Sequence, residues 1–341
     1  MTDAPFRIAA RPVPRPPGLL AALGALVLAL FAASLAVGPA DASPLAALRA
    51  LVLGDGSPLT LVMREIRLPR AILAVLVGAS LGLSGAALQG YLRNPLAEPG
   101  IVGVSGSAAL GAVVAIHSGA AAAYGLALPL AALLGAAGAA GLLLALSGPR
   151  GGSRTLILSG VAISALAGAL TALVLNLSPN PFAASEIVFW MMGSLEARSF
   201  THVWLALPFA LLGWVLILAA RRGLDTLTLG EDAAASLGVS LPRLRLMLVA
   251  GTASCVGAST AVAGAIGFVG LVVPHVLRPL VRARPAALLP ASMLGGAALV
   301  LAADIAVRLV LPERDLKLGV LMALIGAPVF LHLIWRTRGE G

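Results

Sequence analysis

The chain is poor in the residues that a soluble protein needs most. Of its 341 residues only 11% are charged, against 60% hydrophobic, where a soluble domain carries roughly a quarter charged. So few charges cannot cover a water-facing surface, and the chain reads as a polytopic membrane protein. A single cysteine, Cys255 in an apolar stretch, excludes an internal disulfide and any cysteine cluster and reads as a small packed side chain. A single lysine, Lys317 in DLKLG, leaves no lysine after a glycine-rich turn, so the chain does not bind ATP through a P-loop. The four histidines, His117, His202, His275 and His332, lack ligand spacing, which argues against a metal site and against Ser–His–Asp catalysis. Aromatics make up 4% and offer no stacking platform, so the net charge of +9 is not a nucleic-acid footprint. Of the 14 acidic residues only Asp304 falls inside an apolar run, one turn from Arg308, with which it is expected to pair. An ion-coupled secondary transporter, the alternative from another class, needs more buried carboxylate than that.

What the chain does have is long apolar runs, at about 19–37, 71–91, 100–117, 124–146, 155–176, 203–220, 245–263, 265–281, 287–308 and 318–335. Ten such runs, rich in Gly and Ala as in LLGAAGAAG (133–141) and SALAGAL (164–170), predict an all-α bundle of about ten closely packed transmembrane helices, one domain over 19–336. Residues 1–18 and 337–341 read as cytoplasmic tails. The first run ends in GPADAS, which resembles a signal-peptidase site, but its length suits a retained span. Placing both termini in the cytoplasm puts 15 of the 23 basic residues inside, in accord with the positive-inside rule. Arg67, Arg70 and Arg308 then lie outside, against the rule. Between the spans, 44–54 reads as an amphipathic segment. The stretch 178–200 reads as a short helix at the outer surface, anchored by Trp190 and two methionines.

Two stretches on the inner side look built for partners. LRNPLAEPGIVGVSGSAALG (92–111) breaks a helix at Pro95 and Pro99, leaving Asn94 and Leu96 where a path would meet the cytoplasm. GLDTLTLGEDAAASLGVSLPRLR (223–245) is the longest inner loop. Within it an Ala-rich helix starts at Glu231–Asp232 and stops at Gly238, a C-cap, and suits insertion into a cleft on another protein.

The motifs RLPR (67–70), SGAALQ (84–89), NPLAEPG (94–100), LGEDAAASLGV (229–239), GAIGFVGLVVPHVLR (264–278) and LGVLMALIGAPVFL (318–331) occur in this order. Over essentially 60–336 the chain resembles the permease subunit of type II ABC importers, the FecCD-type family that moves ferric siderophores, haem and cobalamin. That resemblance implies a homodimer in the bacterial inner membrane, with two cytoplasmic ATPase subunits that hold ATP and Mg, and a periplasmic substrate-binding protein. This chain itself would be no enzyme and would hold no cofactor. It also implies residue roles. Arg67, Arg70 and Arg308 face acidic residues of the binding protein, and Asn94, Leu96 and Ser153 form the cytoplasmic gate. Leu229, Gly230, Glu231, Ala234, Leu237 and Gly238, within 225–240, couple to the ATPase. Gly267, Phe268, Gly270, Pro274, His275 and Arg278 belong to a diagnostic stretch, in which His275 has no evident chemical role. One departure stands out: the family's Glu-Leu-Pro-(Val/Ile)-Gly reads Asp315-Leu316-Lys317-Leu318-Gly319 here. A ferric siderophore or haem is the expected cargo, with cobalamin the alternative.

Overall fold

The computed structural model describes residues 18–38, 43–53, 56–148, 152–178, 181–310 and 316–337. The tails at 1–17 and 338–341, residues 39–42 within GPADAS, Arg150 and Asp315 lie outside the described residues. Within them the chain is helical. The helices are α1 (Leu19–Ala36), α2 (Pro44–Leu53), α3 (Pro58–Leu61), α4 (Leu68–Leu92), α5 (Val104–His117), α6 (Ala120–Ala123), α7 (Ala127–Ser147), α8 (Ser153–Asn176), α9 (Pro181–Met191), α10 (Phe200–Ala219), α11 (Arg221–Leu227), α12 (Glu231–Ser236), α13 (Leu241–Ala263), α14 (Val269–Leu277), α15 (Pro285–Val310) and α16 (Leu318–Thr337). A π-helical stretch, Val62–Arg67, joins α3 to α4.

Among the described residues seven helices are long and apolar enough to cross a membrane, and α5, α9 and α16 supply shorter apolar helices. Nine of the ten expected spans thus have a helical counterpart, from α1 to α16. The run at 265–281 is different. Only Val269–Leu277 is α-helical there, about 13 Å of rise against a hydrocarbon core of about 30 Å. Residues 264–267 are non-helical and Phe268 sits at φ +66. The sequence periodicity could not reveal this, because an extended apolar segment and a helical one are equally hydrophobic.

Backbone crowding causes the break. Gly193, Gly264 and Gly319 meet where α9, α13 and α16 converge; Cβ atoms there would run into the carbonyls of Ala265, Trp190 and Met192 respectively. Ser194 N–H donates to Ala263 O (2.8 Å), taking an acceptor that a continuing α13 would use, and Gly319 N–H donates to Gly193 O (3.2 Å), tying α16 to the segment after α9.

The bundle is organised around α4, which is almost entirely buried, with α13 and α15 against it. Its hold on α15 is backbone to backbone: Gly78 and Gly82 face Gly296 and Ser292 so closely that no side chain fits between. This is the small-residue contact that lets helices associate where lipid offers no hydrophobic drive. α5 and α7 repeat it reciprocally through Gly111 and Gly135. Gly138, Gly141 and Gly168, equally conspicuous in the sequence, have no neighbour within 4 Å. Trp190 is half-buried against the core, while Phe182 and Phe189 are the exposed aromatics of α9. Cys255 is buried on α13. Lys317 faces the segment after α9, 4.0 Å from Glu196 and above the Phe189 ring.

Candidate functional site

Two rims of the bundle gather the singled-out residues. At the rim where α12 lies, α4 stops at Leu92 because Arg93 turns left-handed at φ 50. The Asn94 carboxamide oxygen accepts the Leu96 N–H at 2.9 Å, an Asx-type turn that folds the loop back on itself. Two residues on, the Glu98 carboxylate accepts the N–H of Phe268, at the head of α14. The loop bearing Asn94 and Leu96 is therefore pinned at both ends.

Ser153 opens α8, and its hydroxyl donates to Glu231 Oε1 (3.3 Å), the first residue of α12. Gly230 at φ +105 and Gly238 at φ +87 bracket this helix, conformations that favour glycine. Leu229 and Leu237 project into solvent on either side of it, while Ala234 is fully buried within this chain. The helix accordingly presents leucines outward and an alanine inward. A polar cleft of about 740 Å³ separates these elements, lined by Arg93, Ser153, Arg154, Glu231 and Asp232 among others. Arg93 and the segments 152–155 and 229–233, remote in sequence, thus form one cluster, whose lining does not include Asn94 or Leu96.

The 264–278 stretch acquires a physical account. Pro274 lacks an N–H, which leaves the carbonyl four residues back, Gly270, without its helical donor. The Gln89 side-chain amide of α4 supplies one at 3.2 Å, and its oxygen accepts from Arg278. Gly270 has no Cβ because Pro99 and the α4 backbone lie against it, and Gly267 sits beside the Glu98 carboxylate. The Phe268 ring lies over Gly326 of α16. His275 is half-buried on α14, and the geometry gives it no chemical role.

At the opposite rim, where α1 and α15 end, Arg67, Arg70 and Arg308 converge, but inward. Arg67 is 4% exposed, and the Arg70 and Arg308 side chains 16% and 10%. Arg67 donates to Leu35 O and Ala36 O (2.9 and 3.1 Å), and Arg308 to Ser34 O and Val37 O (2.9 and 2.8 Å) and to Ser34 Oγ (2.7 Å). Apart from Ser34 Oγ, these acceptors are carbonyls of the last turn of α1 and of its C-cap, Val37, which lack helical donors and lie at the negative end of the helix dipole. Asp304, 1% exposed, pairs with Arg308 at 3.0 Å, as expected one turn away, and also with Arg70 at 2.9 Å.

Reasoning from sequence missed Gln89, Glu98 and Asp225. Asp225 ties α11 to α15 by accepting from Arg284 (2.9 Å) and from the Ala286 N–H (2.7 Å). Gln89 and Glu98 lay in quoted motifs, and a polar residue beside a proline-broken helix was the available signal. Among the described residues no group of three His, Cys, Asp or Glu could hold a metal ion.

Residues 26–336 match the sequence model of the FecCD transport family. The chain belongs to this family. Similar proteins include an uncharacterized ABC transporter permease protein, YvrB, of Bacillus subtilis (40% identical over 294 residues, 84% of this chain and 83% of that one). The vitamin B12 import system permease protein BtuC of Klebsiella pneumoniae is also 40% identical, over 81% of this chain and 83% of its own. So is the cobalamin import system permease protein BtuC of Halobacterium salinarum, over 80% and 73%. A solved ABC transporter described as metal-chelate type, in an inward-facing conformation, superposes with a TM-score of 0.82 at 33% identity, covering 94% of this chain and 99% of that one. As a FecCD-family ABC permease the chain is a multi-pass membrane subunit and not itself an enzyme.

Proposed function

We propose that this permease passes a large metal chelate across the bacterial inner membrane by alternating access, as a homodimer with both termini in the cytoplasm. Two ATPase subunits, holding ATP and Mg, would drive it, and a periplasmic binding protein would deliver the cargo to Arg67, Arg70 and Arg308. Residues 19–336 act as one unit between two short tails. The observation that carries this reading is the hydrogen bond from Ser153 to Glu231. It joins the gate segment at the head of α8 to the helix offered to the ATPase, so displacement of α12 reaches the gate through one contact. Leu229 and Leu237 are the apolar side chains α12 offers to a partner cleft, and the exposed apolar face of α8, with Leu158, Val161 and Leu166, suits a second copy or lipid. The cargo expected from sequence was a ferric siderophore or haem. The relatives named for vitamin B12 and cobalamin import move the weight to a corrinoid.

The test is uptake of labelled cobalamin, haem and a ferric siderophore into cells expressing the permease with its ATPase and binding protein. Cobalamin is expected to accumulate, to fail without the ATPase, and to survive an uncoupler. Uptake that persists without the ATPase and collapses with the uncoupler would mean a secondary transporter. A Glu231→Lys variant, which sets a cation against Ser153 and beside Arg154, is expected to lower uptake at least about tenfold while the protein still reaches the membrane. Unchanged uptake would remove the Ser153–Glu231 contact from the coupling path.

A further inference from the structure

The three rim arginines are already occupied. Arg308 spends its donors on Asp304, Ser34 and Val37, and Arg67 reaches the Leu35 and Ala36 carbonyls. Arg70 is held differently. It meets Asp304 through Nε alone, at 2.9 and 3.2 Å, and among the described residues nothing takes its two terminal nitrogens. The fork of Arg70 that pairs with carboxylates in two-pronged fashion is therefore open on the residue whose side chain is the more exposed of the Asp304 pair. Among the described residues two guanidinium groups share the single carboxylate of Asp304, and that local excess of positive charge favours a second carboxylate from outside. The bonds of Arg67 and Arg308 to residues 34–37 hold α1, a helix with only Ser34 buried among its residues. Its attachment at this rim is thus strongly polar.

We propose that Asp304 is the resident partner of these arginines. A carboxylate of an acidic partner surface engages Arg70 first and then competes with Asp304 for Arg70 and Arg308, so that docking loosens the end of α1 from α15. The proposal rests on the docking role given to the arginines above and adds that the permease competes with its own binding protein. Apparent affinity is reduced by the fraction of time in which the arginines are free, so Asp304 is a positioning residue that sets the strength of docking and transmits it to α1.

The experiment measures binding of the binding protein to the permease–ATPase complex in nanodiscs at fixed salt, together with hydrogen exchange in the last turns of α1. Asp304→Asn is expected to tighten binding about tenfold, and Arg70→Glu to weaken it by at least as much. In the wild type, docking should speed exchange at the end of α1; in Asp304→Asn exchange there should be fast already. Should Asp304→Asn not assemble, Ser34→Ala serves. It removes one acceptor of Arg308 and should tighten binding about threefold. If the Asp304 or Ser34 variant binds no tighter than wild type while Arg70→Glu weakens, the competition is overturned and docking stands. If Arg70→Glu binds like wild type, the docking role itself falls, and the arginines serve only to cap α1.

Discussion

Replacing Gly85 by leucine is expected to abolish the folded permease, whereas leucine at Gly141 leaves its thermal unfolding close to wild type. A Cβ on Gly85 would overlap the carbonyl, the carbonyl carbon and the Cα of Gly270. Backbone stands on both sides, so no rotamer change relieves the clash, and α14 has to leave α4. Overpacking where side chains can still adjust costs about 1–3 kcal/mol. Here the displacement would also break the Gln89 bonds to Gly270 and Arg278 and withdraw Pro99 from its seat. A Cβ on Gly141 has no neighbour within 4 Å, so the added side chain meets open space. Size-exclusion profiles and melting curves of the detergent-solubilised proteins make the comparison. A Gly85→Leu protein that is monodisperse and melts with the wild type would contradict the α4–α14 contact.

The second large effect is expected at Glu98. Alanine there leaves the Phe268 N–H without its acceptor and unties the loop of Asn94 and Leu96 from α14. Loss of a buried acceptor costs about 1–3 kcal/mol, enough to shift a gate equilibrium by about tenfold or more. Because the bond joins two elements rather than capping one, that energy is expected to appear in gating. In proteoliposomes Glu98→Ala should keep ATP hydrolysis near wild type and lose at least about tenfold in transport per ATP. Glu98→Gln retains an oxygen that can accept the same N–H and should recover most of the coupling. Equal losses for the two variants would assign the effect to charge; equal retention would make the bond incidental.

The membrane class and the one-turn pairing of Asp304 with Arg308 were legible because they are local: composition, run length and helical spacing suffice. The helix at 231–236 was legible for the same reason, since Gly230, Glu231, Asp232 and Gly238 are start and stop signals within nine residues. Orientation rested on a charge count, and family resemblance supplied the roles. The direction in which the arginines point was not legible. Their spacing put Arg67 and Arg70 at one rim, but a π-helical stretch ends at Arg67, and the acceptors that draw these side chains inward lie on α1 and α15, 31–32 and 234 positions away.

By itself, then, the amino-acid sequence determined that this chain lies in a membrane, that its bundle is all helical, and, to within a few residues, where most of the long spans start and stop, because hydrophobic run length and capping residues act over a few turns. Only the tertiary structure decided which glycines are contacts and which are open, that the run at 265–281 is a short helix behind a non-helical entry, that Gln89 repairs the gap left by Pro274, and that the arginines face Asp304 and the end of α1. Each of these depends on what stands opposite in space. A carbonyl without a donor or a guanidinium without a carboxylate finds its partner through the packing of helices distant in sequence, where no local pattern records it.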